Sequence, residues 1–361
     1  MKTPLYDEHV KLKGHIVDFA GWDMPVYYSS ILDEHHNTRN NAGLFDICHM
    51  GEIYVRGKDA LPFLQKALSR NLHSLAVGKV NLSVMCNESG GSIDDLTVYK
   101  FSDEKFMLVV NASNIKKDYA FLVSVKDKYD FDVSVEDKSK ETAKLDLQGP
   151  HSEKILQKLT DCKLSEINYY AFKEADVLGV QTIVSRTGYT GEDGFEIYFD
   201  ADKACLIWNE LLEAGKEFSL LPVGLGARDS LRLESGMNLY GHELHDDVSP
   251  LHCRYSWVTD LTKDFEGKEA VLRRKENDNQ KLIGFEMADR AIPRNGYKIF
   301  NDSCEAVGAV SSGTFSPTMH KGIGLGFVPK EFAKEGSTLN IEIRSNLHKA
   351  KIIKLPFYRR S

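Results

Sequence analysis

The chain has 361 residues, 42% of them hydrophobic and 27% charged. That is length for two or three domains with enough apolar content to build their cores, so a globally disordered chain is excluded. Forty-six Lys and Arg against 53 Asp and Glu leave a formal charge of −7, which argues against gripping a nucleic acid by phosphate neutralisation. No apolar run approaches the roughly 18 residues of a membrane helix.

The opening Met1-Lys2-Thr3-Pro4-Leu5-Tyr6-Asp7-Glu8 has no apolar stretch and already carries acids, so it reads as neither secretory signal nor transit peptide. Residues 51–136 then alternate between strand and helix patterns. Glu52–Val55 reads as a strand, followed by a helix capped by Asp59 with Leu61, Phe63, Leu64 and Leu68 on one face. Short runs at Val80–Cys86, Ile93–Phe101 and Lys105–Asn111 are separated by hairpin-type turns. A helix over Ser113–Lys128 and a strand over Phe131–Val135 complete a β-α-β-β-β-α-β order, which predicts a ferredoxin-like α+β unit. Residues 142–235 mix strands (Ala143–Leu147, Thr182–Ser185, Phe195–Phe199) with helices (about His151–Leu159, Ala201–Ala214, Ala227–Glu234). Lys263–Gln280 is highly charged and reads as a connector. Beyond it, six apolar runs from Leu282 to Leu355, punctuated by Gly and Pro, predict a β-barrel or sandwich.

Several signals have bland readings. His242-Glu243-Leu244-His245-Asp246-Asp247 is not HExxH and lacks a third ligand at zinc spacing, so it reads as a polar loop and no metal is expected. His35 and His36 are neighbours, and on one helix they would point about 100° apart. Cys48-His49 is a weak nucleophile signal, because such pairs are spatial rather than sequential. The six cysteines include no CxxC and read as reduced thiols of a cytoplasmic protein. Gly322-Ile323-Gly324-Leu325-Gly326 lacks the spacing of a phosphate or dinucleotide loop and reads as barrel bends.

Three segments carry more. In Gly90–Tyr99, Asp94 and Asp95 open an apolar strand. Successive strand side chains face opposite ways, so only one can point into a pocket, unless both cap the turn. In Ser185–Glu196, three glycines imply tight turns or close approach, and Glu196 lies in the following strand. An inward carboxylate there needs partners, and the edge of a heterocycle with two parallel N–H donors would supply them. In Gly224–Gly236, Arg228 and Arg232 share a helix face. They either hold an anionic ligand or form an ion-pair ladder with Asp229 and Glu234.

Together with Thr3-Pro4-Leu5-Tyr6, Phe19–Tyr28, Gly43–Gly51, Ser312–Thr318 and Pro356-Phe357, these segments run in the order found in the T-protein (aminomethyltransferase) family of the glycine cleavage system, which the whole chain resembles. Cys48 stands where that family usually has Ser, and Leu82 where some members have Tyr. The resemblance implies an α+β, three-domain cloverleaf around a central folate pocket. Domain 1 would be discontinuous (1–50 plus 137–245), with the ferredoxin-like domain 2 (51–136) inserted in it. The connector and C-terminal β-barrel (246–361) would form domain 3. The implied reaction transfers the aminomethyl carbon on the lipoyl arm of the H-protein to tetrahydrofolate, releasing ammonia and forming 5,10-methylenetetrahydrofolate. Asp95 then falls on the catalytic acid. Glu196, Arg228, Asn111 and Asp94 fall on the folate site. Tetrahydrofolate is the co-substrate, the lipoylated H-protein a transient partner, and the enzyme is expected to be monomeric and to bind neither nucleic acid nor membrane. Other readings on the same resemblance are a different tetrahydrofolate-dependent demethylase and a non-catalytic folate-binding factor for iron–sulfur assembly. The paired acids at 94–95 argue for catalysis, and no Lys-Gly-Cys-Tyr motif of the latter group is present.

Overall fold

The structure, a computed structural model, describes residues 1–360. Three sheets organise the chain, beside a small two-stranded ribbon near the start. A six-stranded sheet runs in the order Phe172–Val177, Val180–Ser185, Gly194–Asp200, Thr142–Gln148, Gly43–Asp46, Leu221–Pro222. Its central strand Thr142–Gln148 pairs Gly194–Asp200 on one side and Gly43–Asp46 on the other. Helix Ala204–Ala214 packs Ile207, Trp208 and Leu211 into the core beneath it.

Between residues 51 and 137 lies an antiparallel sheet in the order Val80–Cys86, Ser92–Ser102, Lys105–Val110, Gly51–Arg56, Ser134–Asp137. Helices Ala60–Ala67 and Ile115–Tyr129 cover one face, burying Phe63, Leu64, Leu122 and Val125. The arrangement is ferredoxin-like with one added strand. Asp59 does not cap its helix; its carboxylate accepts the Asp132 backbone N–H at 2.9 Å instead. Asp130 is left-handed (φ 53°) and ends the second helix. Phe131 then packs edge-on against Phe63, so pairing begins only at Ser134, later than the apolar pattern predicts.

The C-terminal region closes a six-stranded barrel: Gln280–Met287, Lys321–Pro329, Ala306–Ser316, Lys298–Phe300, Thr338–Ile343 and Asn346–Ile353, which returns to the first. The glycines at 322, 324 and 326 are not bends. They lie within one strand, and a Cβ on Gly324 would sit 2.5 Å from the Phe285 ring, so glycine makes room for the barrel's core. Three further differences follow from packing. The charged connector contains a helix, Lys268–Asn277, seated by Ala270 and Val271. The helix expected over 151–159 is the short Ser152–Leu156. Gly43–Asp46, a central strand buried throughout, has no alternation to reveal it.

Candidate active site

A cavity of about 570 Å³ is walled by three parts of the chain. Asp95, Leu96, Thr97, Val109 and Asn111 come from the inserted sheet. Lys144, Thr187, Tyr189 and Glu196 come from the six-stranded sheet and its loop. Arg228 and Arg232 lie on helix Leu225–Glu234, and the following segment adds Met237–Tyr240, Arg254, Tyr255 and Trp257. Its size suits a small organic molecule. Leu82 lines the wall, and the rings of Tyr170, Tyr189 and Tyr255 line it elsewhere.

Asp94 and Asp95 point opposite ways, as strand alternation requires. Asp95 lines the cavity, whereas Asp94 is fully buried behind it and is not part of the lining. Asp94 accepts the Asn111 backbone N–H (2.9 Å), the Asn111 side-chain amide (2.9 Å) and the Asn114 amide (2.6 Å). The same Asn111 amide donates to Asp95 at 3.0 Å, so one side chain ties both carboxylates. Burial, and then the charge of Asp94, push the Asp95 carboxyl from 3.8 up to about 7, against the hydrogen bonds from Asn111 and Tyr255.

Glu196 reaches the cavity from the opposite sheet. Burial would raise its carboxyl, but Lys144, Thr187 and Arg228 outweigh burial and hold it below its ordinary value. The Lys144 ammonium lies 3.3 Å from one oxygen. Thr187 (2.5 Å), Tyr198 (3.3 Å) and Tyr99 (3.4 Å) donate to the other. The second oxygen is saturated, and the first keeps a lone pair for a ligand.

Arg228 donates to Asp146 at 2.8 Å and lies over the Tyr189 ring, 4.9 Å from its centroid. Asp146 pairs in register with Glu196 across the sheet. Burial first, then Glu196, push it up to about 7 against the pull of Arg228 and Lys144. Arg232 is committed to its surroundings, with Asp229 at 2.8 Å, Glu243 at 3.2 Å and the Ser312 hydroxyl at 2.8 Å. Glu234 joins no ladder with these arginines and binds Arg39 and His35 instead.

Asp95, Asn111, Glu196 and Arg228 thus meet on one cavity, with Asp94 behind it. Sequence reasoning missed Lys144. Its signal was legible: Lys144, Asp146 and Gln148 alternate with Ala143, Leu145 and Leu147, a polar face on a central strand. Sequence reasoning weighed His49 only as a weak nucleophile partner of Cys48; the residue lines the cavity with its Nδ1 unpartnered, and burial keeps it neutral by lowering it to about 4. The Cys48 thiol is buried, bonded to the Lys144 backbone and raised well above its ordinary value by burial, which removes the thiolate reading. Among the described residues no three His, Cys, Asp or Glu gather as a metal site, and no helix is long and apolar enough to cross a membrane.

Two carboxylates set to different basicities on one cavity mark acid–base chemistry, and the aromatic walls fit a flat heterocycle. Comparison identifies the lineage. Residues 5–263 match the GCVT N-terminal domain family, and residues 280–359 match the glycine cleavage T-protein C-terminal barrel domain. The chain belongs to the glycine cleavage T-protein family. Among its relatives, the aminomethyltransferase of Caldanaerobacter subterraneus is 48% identical over all of this chain and 96% of its own length. That of Thermosipho melanesiensis is 47% identical over 99% of this chain and 97% of its own. The crystal structure of the glycine cleavage system aminomethyltransferase T from Bartonella henselae superposes with a TM-score of 0.93 at 33% identity, covering 99% of this chain and 98% of that one.

Proposed function

We propose a division of labour among these residues for the aminomethyltransferase reaction of the glycine cleavage system, which this chain catalyses. The donor is the aminomethyl group on the sulfur of the lipoyl arm of the H-protein, and the acceptor is tetrahydrofolate. The carbon gains bonds to two folate nitrogens and loses its bonds to nitrogen and sulfur. The two folate N–H protons leave with ammonia and with the dihydrolipoyl thiol, so atoms and charge balance.

The observation that carries the assignment is the contrast between Asp95 and Glu196. Asp95, poised at about 7, accepts a proton from a folate nitrogen and returns it to a leaving group at neutral pH. Its negative charge also steadies positive charge developing at the reacting carbon. Glu196 stays ionised and accepts N–H groups from the pterin edge. Arg228 and Asn111 complete the folate site, and Asn111 also holds Asp95 in place. Asp94 contributes through Asn111 rather than by contact. Binding both reactants in one cavity supplies much of the rest through proximity.

The H-protein docks transiently, because the carrier must leave again. The enzyme works as a monomer in the cytoplasm, a setting that six unpaired cysteines favour. We divide the chain into 1–50 plus 137–245, 51–136, and 246–361, a division the three sheets support. The test is tetrahydrofolate-dependent ammonia release from aminomethylated H-protein. Release independent of folate, or none, overturns the reading.

A further inference from the structure

We propose that Asp118 is a positioning residue for this reaction, holding the one proton shared by two facing buried carboxylates and thereby keeping Asp94 anionic behind Asp95. The inference rests on the role given above to Asp95.

Asp118 lies in helix Ile115–Tyr129 and is fully buried. Neither of its carboxylate oxygens meets an N–H or O–H donor. One turn earlier, Asn114 at the start of the same helix donates to Asp94 at 2.6 Å and accepts the Asp118 backbone N–H, which brings the Asp118 carboxyl up against that of Asp94. Two carboxylates can hydrogen-bond to each other only when one carries a proton. Asp94 accepts three N–H groups, from Asn111 twice and Asn114 once. Burial raises the Asp94 carboxyl as well, but those bonds work against it and favour the ionised form, whereas Asp118 has no such support. The proton therefore resides on Asp118. Burial, then the charge of Asp94, hold the Asp118 carboxyl far above its ordinary value, and Lys117 offsets this only in part. The Lys117 ammonium is turned instead toward Tyr240 (2.5 Å) and Asp246 (3.3 Å).

The consequence reaches the cavity by two routes. The anionic Asp94 anchors the Asn111 amide that also holds Asp95. Its charge is also the second cause, after burial, of the raised Asp95 carboxyl. Tyr255, Tyr170, Tyr189, Tyr240 and Cys253 also face Asp95, each pushed further from ionisation by burial, and Lys144, Glu196, Arg228, Arg232 and Arg254 line the same cavity. Among the charges around it, that of Asp94 raises Asp95 most. Without a donor from Asp118, Asp94 itself takes up the proton, and Asp95 loses its charged neighbour.

Two variants and one spectrum test this. In Asp118→Asn the amide N–H replaces the acid O–H, so kcat and its acidic limb should stay within about threefold and a few tenths of a pH unit of the parent enzyme. In Asp118→Leu the donor is gone. The acidic limb of kcat should fall by about one pH unit or more and kcat by roughly tenfold. The infrared difference between parent and Asp118→Asn at about pH 9, where ordinary carboxyls are ionised, should show a protonated carboxyl band that shifts in heavy water. This readout needs neither turnover nor the Leu variant. Absence of that band, an Asp118→Asn profile displaced like that of Asp118→Leu, or an unmoved limb in a folded Asp118→Leu overturns the proposal. Undiminished turnover in Asp95→Asn would instead overturn the underlying assignment.

Discussion

Replacing Asp95 by Asn should move activity and stability in opposite directions. Above neutral pH the folded protein must ionise Asp95 in a partly buried site beside Asp94, whereas the unfolded chain ionises it freely. A rise from 3.8 to about 7, at about 1.36 kcal/mol per pH unit, amounts to about 4 kcal/mol held against folding. The sign follows from proton counts: between those values the unfolded state binds fewer protons, so stability falls as pH rises toward 7 and stays low above it. Asn keeps the shape and can still accept from Asn111, but the bond to a charged acceptor weakens by about 1–2 kcal/mol. The expected net gain at pH 8 is therefore about 2–3 kcal/mol in urea unfolding, and about half the pH-dependent part remains at pH 5.5. Turnover should drop by about 10²–10⁴, the usual worth of a positioned acid–base group, with folate affinity far less affected. Ammonia-release kinetics, calorimetry and denaturation on the same preparation decide it. Destabilisation at pH 8, turnover within threefold of the parent, or a larger loss in Asp94→Asn would show that the wrong carboxylate has been chosen.

Glu196→Ala should weaken tetrahydrofolate binding by about 30- to 1000-fold, or 2–4 kcal/mol. It also leaves the buried Lys144 unpaired, costing about 3–5 kcal/mol of stability; a calorimetric change under threefold removes Glu196 from the folate site. Free aminomethylated lipoate should react far more slowly than the H-protein-bound form, and salt should slow the latter chiefly through association. Equal efficiency of the two donors in stopped-flow or ammonia-release assays would refute docking of the carrier. Glu234, fully buried, is held at about 2 because His35 and Arg39 outweigh its burial. Its contribution is present above 4.5 and lost as pH falls toward 2, so Glu234→Gln should cost about 3 kcal/mol at pH 7, with a deficit that shrinks on acidification. Urea unfolding at three pH values checks this, and a pH-independent deficit would contradict it.

Much of the architecture follows from local pattern. Short apolar runs punctuated by turn residues mark the strands of the inserted sheet, and three- and four-residue spacing marks helices such as Ile115–Tyr129 and Ala204–Ala214, because turns bound each strand and helical spacing encodes one buried face. The six barrel runs were legible for the same reason, although the last strand begins at Asn346 rather than near Lys351. Its ladder with Thr338–Ile343 starts at a tight turn through Arg344 and Ser345, both at positive φ, which apolar content does not reveal.

What the sequence by itself determined is which residues carry unusual chemistry. Acids in apolar strands at 94–95 and 196, and Arg228 on a helix face, stand out because such groups are costly to bury unpartnered. Tertiary structure alone decided which of them share a cavity and in what state of charge. Lys144 and Glu196 are 52 residues apart (144 to 196) and meet only because two strands pair across the sheet. Asp118 faces Asp94 only because its helix lies against that strand. Strand alternation indicates that one of two neighbouring acids faces inward, but the fold decides which. Burial, like charges and hydrogen bonds act over a few ångströms of space, not of sequence, so the raised basicity of Asp95 emerges only when the sheets are assembled.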